Sequence, residues 1–255
     1  MSGENRNTDM ATARTGDRAL MQGDVSETRT LAAQIKVYYT LHLPSDIEAG
    51  ARSPAPLLIA LHGYGGNMRQ MMREARQCAP PNFAIASVQG VHEHLKEAKE
   101  PNGALRYGFG WLTNFHPEES IKLHHQMLRD LIETLISEHI ALRESIFLLG
   151  FSQSCALNYR FAFTYPHILR GAIGICGGIP GDWQTSALYH QTNARVLHLS
   201  GARDEFYPPA RVESYAPQLR LRARDVEMRS YDAAHEITPA MREDICAWLQ
   251  AHARL

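Results

Sequence analysis

Five short apolar runs, at residues 57–61, 83–88, 145–149, 172–176 and 196–199, constrain this chain more than any other feature of it. Each is too short to be a helix, and its apolar residues follow one another without alternation. A strand of that kind must be covered on both faces, which is the condition of a parallel sheet sandwiched between helices. Helical patterns lie between the runs. Met68, Met71, Met72 and Ala75 share one face, and Pro117 opens a long helix carrying Ile121, Leu128, Leu131, Leu135 and Ile136. Residues 153–165 form a third helix, stopped by Pro166. Thr238 and Pro239 are an N-cap and first-turn pair for a last one, with Met241, Ile245, Trp248 and Leu249 inside. Residues 35–43 (IKVYYTLHL) add a strand before Pro44, and 226–231 alternate as an edge strand would. Strand and helix in turn predict an α/β protein with a mainly parallel central sheet, flanked by helices on both faces.

Residues 1–30 are polar and without either periodicity, so the expectation is a flexible N-terminal arm followed by a single domain over 31–255. With 44% apolar and 21% charged residues the domain has the balance of a soluble globular protein. A net charge of −1 argues against nucleic acid as a partner. No run approaches the ~18 apolar residues of a membrane span. The first 30 residues hold no apolar run longer than Ala19-Leu20-Met21, which predicts a cytoplasmic protein. Cys78, Cys155, Cys176 and Cys246 sit within apolar patterns and read as reduced core thiols. Arg211, Arg220, Arg222, Arg224 and Arg229 alternate with Glu213, Asp225 and Glu227, as on a solvated helix face and its exit.

Chemistry concentrates at the ends of the apolar runs. In Phe147-Leu148-Leu149-Gly150-Phe151-Ser152-Gln153-Ser154 a buried strand runs straight into a serine, and a helix starts at once. Such a strand–serine–helix turn presents the hydroxyl on a strained elbow, with small residues two before and two after it. Gly150 fits; Ser154 stands where a second glycine is usual. The helix start favours a developing oxyanion. An earlier strand ends in His62-Gly63-Tyr64-Gly65-Gly66, a loop that can turn backbone N–H groups toward a reacting oxygen. The expected oxyanion donors are the N–H groups of Tyr64 and Gln153. His62, at the strand end, is expected to hold the loop by hydrogen bonding.

Two further strand ends carry Asp204, after Ser200-Gly201, and His235, before the last helix. Ser152, Asp204 and His235 thus follow one another as nucleophile, acid and base, each on a loop after a strand, and all three loops open on one edge of a parallel sheet. Asp232, Glu205 and Glu236 remain alternative carboxylates. His92, His94, His124 and His125 have no companion ligands with metal spacing and are expected on the surface or on a helix face.

LHGYGG, GFSQS, SGARDEFYP and AAHEIT…WL, in this order and spacing, resemble the phospholipase/carboxylesterase branch of the α/β-hydrolases, which includes acyl-protein thioesterases. The resemblance runs from about Lys36 to the C-terminus. It implies an α/β-hydrolase fold and a triad of Ser152, Asp204 and His235, with Tyr64 and Gln153 as oxyanion donors. It also implies an esterase needing neither metal nor cofactor, acting on a small acyl ester or thioester. The sequence departs from the family at Ser154 and over Arg106–Trp111, which is only loosely like its substrate-side loop; Gly65, Trp111 and Phe206 are the expected substrate contacts, and a homodimer is compatible with the reading. A carboxylic-ester hydrolase is the first expectation. An acyl thioesterase or lysophospholipase with the same triad comes next, ahead of a serine peptidase or a non-catalytic binding protein of this fold.

Overall fold

A computed structural model describes residues 27–45, 54–96 and 103–253. The chain divides into two units, Met1–Lys36 and Val37–Leu255. Of the first, residues 27–36 are exposed and carry no regular secondary structure; the remainder of the expected N-terminal arm, residues 1–26, lies outside the described residues.

The second unit is built on a seven-stranded sheet. Its strands are β1 (Tyr39–His42), β2 (Ala55–Leu61), β3 (Ala84–Val88), β6 (Ala141–Phe151), β7 (Gly171–Ile175), β8 (Thr192–Gly201) and β9 (Ala223–Tyr231). They lie in the order β1-β3-β2-β6-β7-β8-β9, and only β1 runs antiparallel to its neighbour. β4 (His92–Lys96) and β5 (Arg106–Gly110) form a separate antiparallel hairpin. The helices are α1 (Met68–Cys78), α2 (Pro117–Ser137), α3 (Gln153–Thr164), α4 (Pro209–Val212), α5 (Tyr215–Arg220) and α6 (Pro239–Ala253).

Continuous apolar strands are accounted for by two cores, one on each face of the sheet. Leu57, Ile59 and Leu61 of β2 face the core made with α2 and α3, while Leu58 and Ala60 face the core made with α1 and α6. All five side chains are fully buried, each leucine or isoleucine contributing about 1.5–3 kcal/mol. Met71, Met72 and Ala75 of α1 and Met241, Ile245, Trp248 and Leu249 of α6 are buried as their spacing requires, and Thr238 Oγ1 accepts from the Met241 N–H at 3.2 Å. Among the described residues no helix is long and apolar enough to cross a membrane.

Several expectations change. β6 begins four residues before its apolar run: Ala141 pairs with Ala55, and a register shift carries the exposed Arg143 and Glu144 before pairing resumes at Ile146. The β4–β5 hairpin has no apolar run to announce it, since neither of its faces is fully covered. Of the two places expected for His124 and His125, the helix face holds and the surface does not: they lie on the inner side of α2, against Trp111, Phe161 and Tyr165. Of the late arginines, Arg222 donates to the carbonyls of Tyr189 and Trp183 and lies over both rings, so it ties two segments together rather than facing solvent. The four cysteines are free thiols, three of them buried.

Candidate active site

β2, β6, β8 and β9 all point their carboxyl ends to one edge of the sheet, and the four loops that leave them build the site. Ser152 lies between β6 and α3 with φ 56° and ψ −116°, a conformation an L-residue adopts only when its surroundings enforce it. Its N–H is held by the Ile175 carbonyl of the neighbouring strand at 2.9 Å. Gly150 has no room for a side chain, since a Cβ there would lie 2.6 Å from Asn158 Nδ2.

Ser154, the departure from the two-glycine pattern, has a structural role of its own. Its hydroxyl accepts from the Phe151 N–H at 3.0 Å and lies 2.9 Å from the Leu61 carbonyl, to which it can donate. The elbow is thereby tied to the end of β2. Ser154→Ala leaves that buried carbonyl and N–H without their partner, so urea unfolding of this variant is expected to show a loss of about 1–3 kcal/mol. Unchanged stability would mean that the tie carries no weight.

His235 reaches Ser152 from the loop after β9, with Nε2 2.9 Å from Ser152 Oγ. Its Nδ1 lies 2.9 Å from Asp204 Oδ2. An ionised carboxylate only accepts, so Nδ1 carries the proton and Nε2 is left to accept from the serine hydroxyl. Asp204 is 3% exposed. Burial pushes its pKa up, but the bonds from His235 and from the Tyr207 and Phe206 amides outweigh that and hold the carboxyl below its ordinary value. Those two amides donate to Oδ1 at 2.9 Å each. Of the alternative carboxylates, Asp232 is exposed and paired with Arg203 at 2.7 Å, while Glu205 and Glu236 are exposed.

The loop after β2 packs directly on the elbow: a Cβ on Gly63 would lie 3.2 Å from that of Ser152. His62, buried beneath it, accepts at Nε2 from the Gly90 N–H at 2.9 Å, so Nδ1 bears the proton and donates to the Gly63 carbonyl at 2.8 Å. Burial lowers its pKa and keeps it neutral. That carbonyl belongs to the peptide group whose N–H is Tyr64's, and it also accepts from Gly66 at 3.0 Å. A donor on the carbonyl polarises the N–H at its other end. The side chain of Gln153 is fixed as well, accepting from the Trp111 N–H at 3.0 Å.

The three expected substrate contacts do not behave alike. Phe206 is 57% exposed, with its ring edge-on to His235 at 4.8 Å. Trp111 is 2% exposed and donates Nε1–H to the His62 carbonyl at 2.7 Å, so it supports the loop from below. Gly65 is buried as well. Its N–H donates to Phe109 and its carbonyl accepts from Lys96 Nζ, both at 2.9 Å, which commits its polar groups to the hairpin. Phe151, missed in the sequence, lies with its ring 4.9 Å from that of His235; its place directly before Ser152 was the available signal. Tyr207 stacks on His235 at 5.9 Å.

Cys176, Asp204 and His235 bring three potential ligand atoms within 4.8 Å of one another. Metal binding would need the thiolate, and burial together with the Asp204 charge pushes the Cys176 thiol up to about 12. Cys155, in the first turn of α3, is buried with its thiol directed at the Gly150 and Ile175 carbonyls, and burial raises its pKa well above the ordinary thiol value.

With this geometry in view, the likenesses to known proteins are specific. Residues 43–253 match the family model described as phospholipase/carboxylesterase. Acyl-protein thioesterase 1 of Eremothecium gossypii is 29% identical over 224 residues, spanning 82% of this chain and 93% of that protein. The crystal structure of a Bacillus cereus carboxylesterase superposes with a TM-score of 0.63 at 19% identity, over 85% of this chain and 94% of the other. A carboxylesterase from Mesorhizobium loti gives 0.64 at 22% identity, over 83% and 93%. Both share this fold.

Proposed function

The chain belongs to the phospholipase/carboxylesterase family of α/β-hydrolases, and from that premise we propose that it hydrolyses carboxylic esters through an acyl-enzyme on Ser152. The observation that carries this reading is the unbroken series Ser152 Oγ, His235 Nε2–Nδ1, Asp204 Oδ2, linked at 2.9 Å and again at 2.9 Å on a strained elbow. His235 takes the hydroxyl proton as Ser152 Oγ attacks the acyl carbonyl, and Asp204 holds the imidazole in the productive tautomer and supports its positive form. The Tyr64 and Gln153 N–H groups receive the oxyanion; the leaving atom departs with the proton from His235, and water then releases the acid. An acyl thioester is the second substrate class, favoured by the 29% identical thioesterase, since the same groups serve a sulfur leaving atom.

A serine-directed phosphonate tests the reading. It is expected to inactivate the protein with one label per chain, found on the Ser152 peptide. Cys155→Ala is expected to keep most activity and full sensitivity to the reagent, because a buried, protonated thiol offers no nucleophile. Label on Cys155, or a folded but inactive Cys155→Ala protein, would overturn the assignment.

A further inference from the structure

We propose that the cavity between the His62–Gly66 loop, α1 and the loop after His235 is the leaving-group subsite, and that it takes an alcohol or thiol with a bulky apolar body and no negative charge. The proposal rests on Ser152 and His235 acting as described above. The cavity measures about 330 Å³ and has apolar walls in Met71, Phe151 and Ile237. That is within the range of small-molecule sites.

Its position assigns it to one half of the substrate. When the acyl-enzyme forms, the bond from the acyl carbon to the leaving oxygen or sulfur breaks. The proton that atom acquires comes from His235 Nε2. The departing group therefore lies on the His235 side of Ser152, with the acyl group opposite. Three of the cavity's walls are chain neighbours of these two residues, although Ser152 and His235 do not themselves line it. Phe151 precedes the serine and holds its ring 4.9 Å from that of His235, while Glu236 and Ile237 follow the histidine. Phe206 and Tyr207 lie against the same imidazole but do not line this cavity.

Its charge narrows the class. Glu74 and Glu236 line the cavity, and among the described residues no lysine or arginine does. Arg242 pairs with Glu74 at 2.8 Å without joining the lining. A sulfonate or phosphate on the leaving group would meet the Glu236 carboxylate, with Glu74 already neutralised by Arg242 and no cation in the lining, whereas a neutral or quaternary-ammonium body meets no such penalty.

Two ester series test this. One holds the acyl group as butyryl and varies the alcohol through methyl, benzyl, 3,3-dimethylbutyl, choline and 3-sulfopropyl. The other holds the alcohol as methyl and varies the acyl chain from acetyl to octanoyl. The wild-type protein is expected to prefer the dimethylbutyl and choline esters over the sulfopropyl ester by at least about tenfold in kcat/KM. Met71→Trp is expected to lower the ratio of benzyl to methyl ester by about tenfold or more while the acyl-length profile keeps its shape. Ile237→Trp, on a less buried wall, is expected to do the same and replaces Met71→Trp if that protein fails to fold. Glu236→Lys is expected to raise the sulfopropyl ester relative to the choline ester, less so at high salt. If either tryptophan variant alters the acyl-length profile and spares the alcohol series, the cavity holds the acyl chain and the proposal is wrong. A flat response in both series also overturns it. Hydrolysis that persists in Ser152→Ala is a separate outcome: it overturns the serine mechanism rather than the subsite alone.

Discussion

Ser152→Ala and His235→Ala are each expected to abolish ester hydrolysis, with kcat reduced by roughly 10⁴–10⁶, and the double variant is expected to be no worse than either single one. The reason is that proton transfer and attack are one event. Once the hydroxyl is gone His235 has nothing to activate, and once the imidazole is gone the hydroxyl stays protonated. What survives is the residual contribution of the oxyanion donors and of binding. Asp204→Asn is expected to cost about 10⁴, because an amide NH₂ facing Nδ1 drives the imidazole into the tautomer that cannot accept from serine. Asp232→Asn is expected to have a minor effect: its side chain is 87% exposed and bonded to Arg203, away from the imidazole. The measurement is kcat on a p-nitrophenyl ester, with folding checked by circular dichroism. Near-wild-type turnover by folded Ser152→Ala protein removes the mechanism; an exchange of the two aspartate results moves the acid and leaves the nucleophile.

Acid is expected to unfold this protein steeply, for a reason separate from catalysis. His124, His125 and His198 are buried without charge, and burial lowers their pKa values to about 3, about 4 and about 4. His125 is also pushed down by the Arg160 charge, and His124 by His125. In the unfolded chain a histidine titrates near 6.5. Between pH 6.5 and 4 the unfolded state therefore binds up to three protons that the native state does not. Stability rises with pH wherever that holds, so it is fully present above about pH 6.5 and is lost as pH falls. Three protons correspond to about 4 kcal/mol per pH unit, against a typical total of about 5–15 kcal/mol. Urea unfolding at pH 7, 6 and 5 is expected to show the loss steepening toward this limiting slope below pH 6. His125→Phe, which suits the aromatic neighbours Phe161 and Tyr165, is expected to flatten it by about 1.4 kcal/mol per pH unit. An unaltered slope would exclude His125 as a source.

These histidines also mark where sequence reading runs out. By sequence, His124 and His125 are expected on the surface or on a helix face. Only the packing of α2 against the sheet and Trp111 turned them inward. The hairpin was missed because its signal is pairing between β4 and β5, not burial. By sequence, Trp111 and Gly65 are expected as substrate contacts. Their hydrogen bonds to His62 and to the hairpin, which no periodicity announces, give them a supporting role.

What the chain determined by itself was the order of strands and helices, and with it the nucleophile, acid and base as expectations. Burial on both faces forces unbroken apolar strands, and a serine at the end of one, with no space for larger neighbours, can sit only on an elbow. Those are local requirements, met within ten residues of the feature they explain. The tertiary structure alone decided which carboxylate meets His235, which nitrogen of His62 bears the proton, and why Ser154 can stand where glycine is usual. Each of these depends on groups tens of residues apart brought within 3 Å, and hydrogen bonds of that kind leave no periodicity in a sequence.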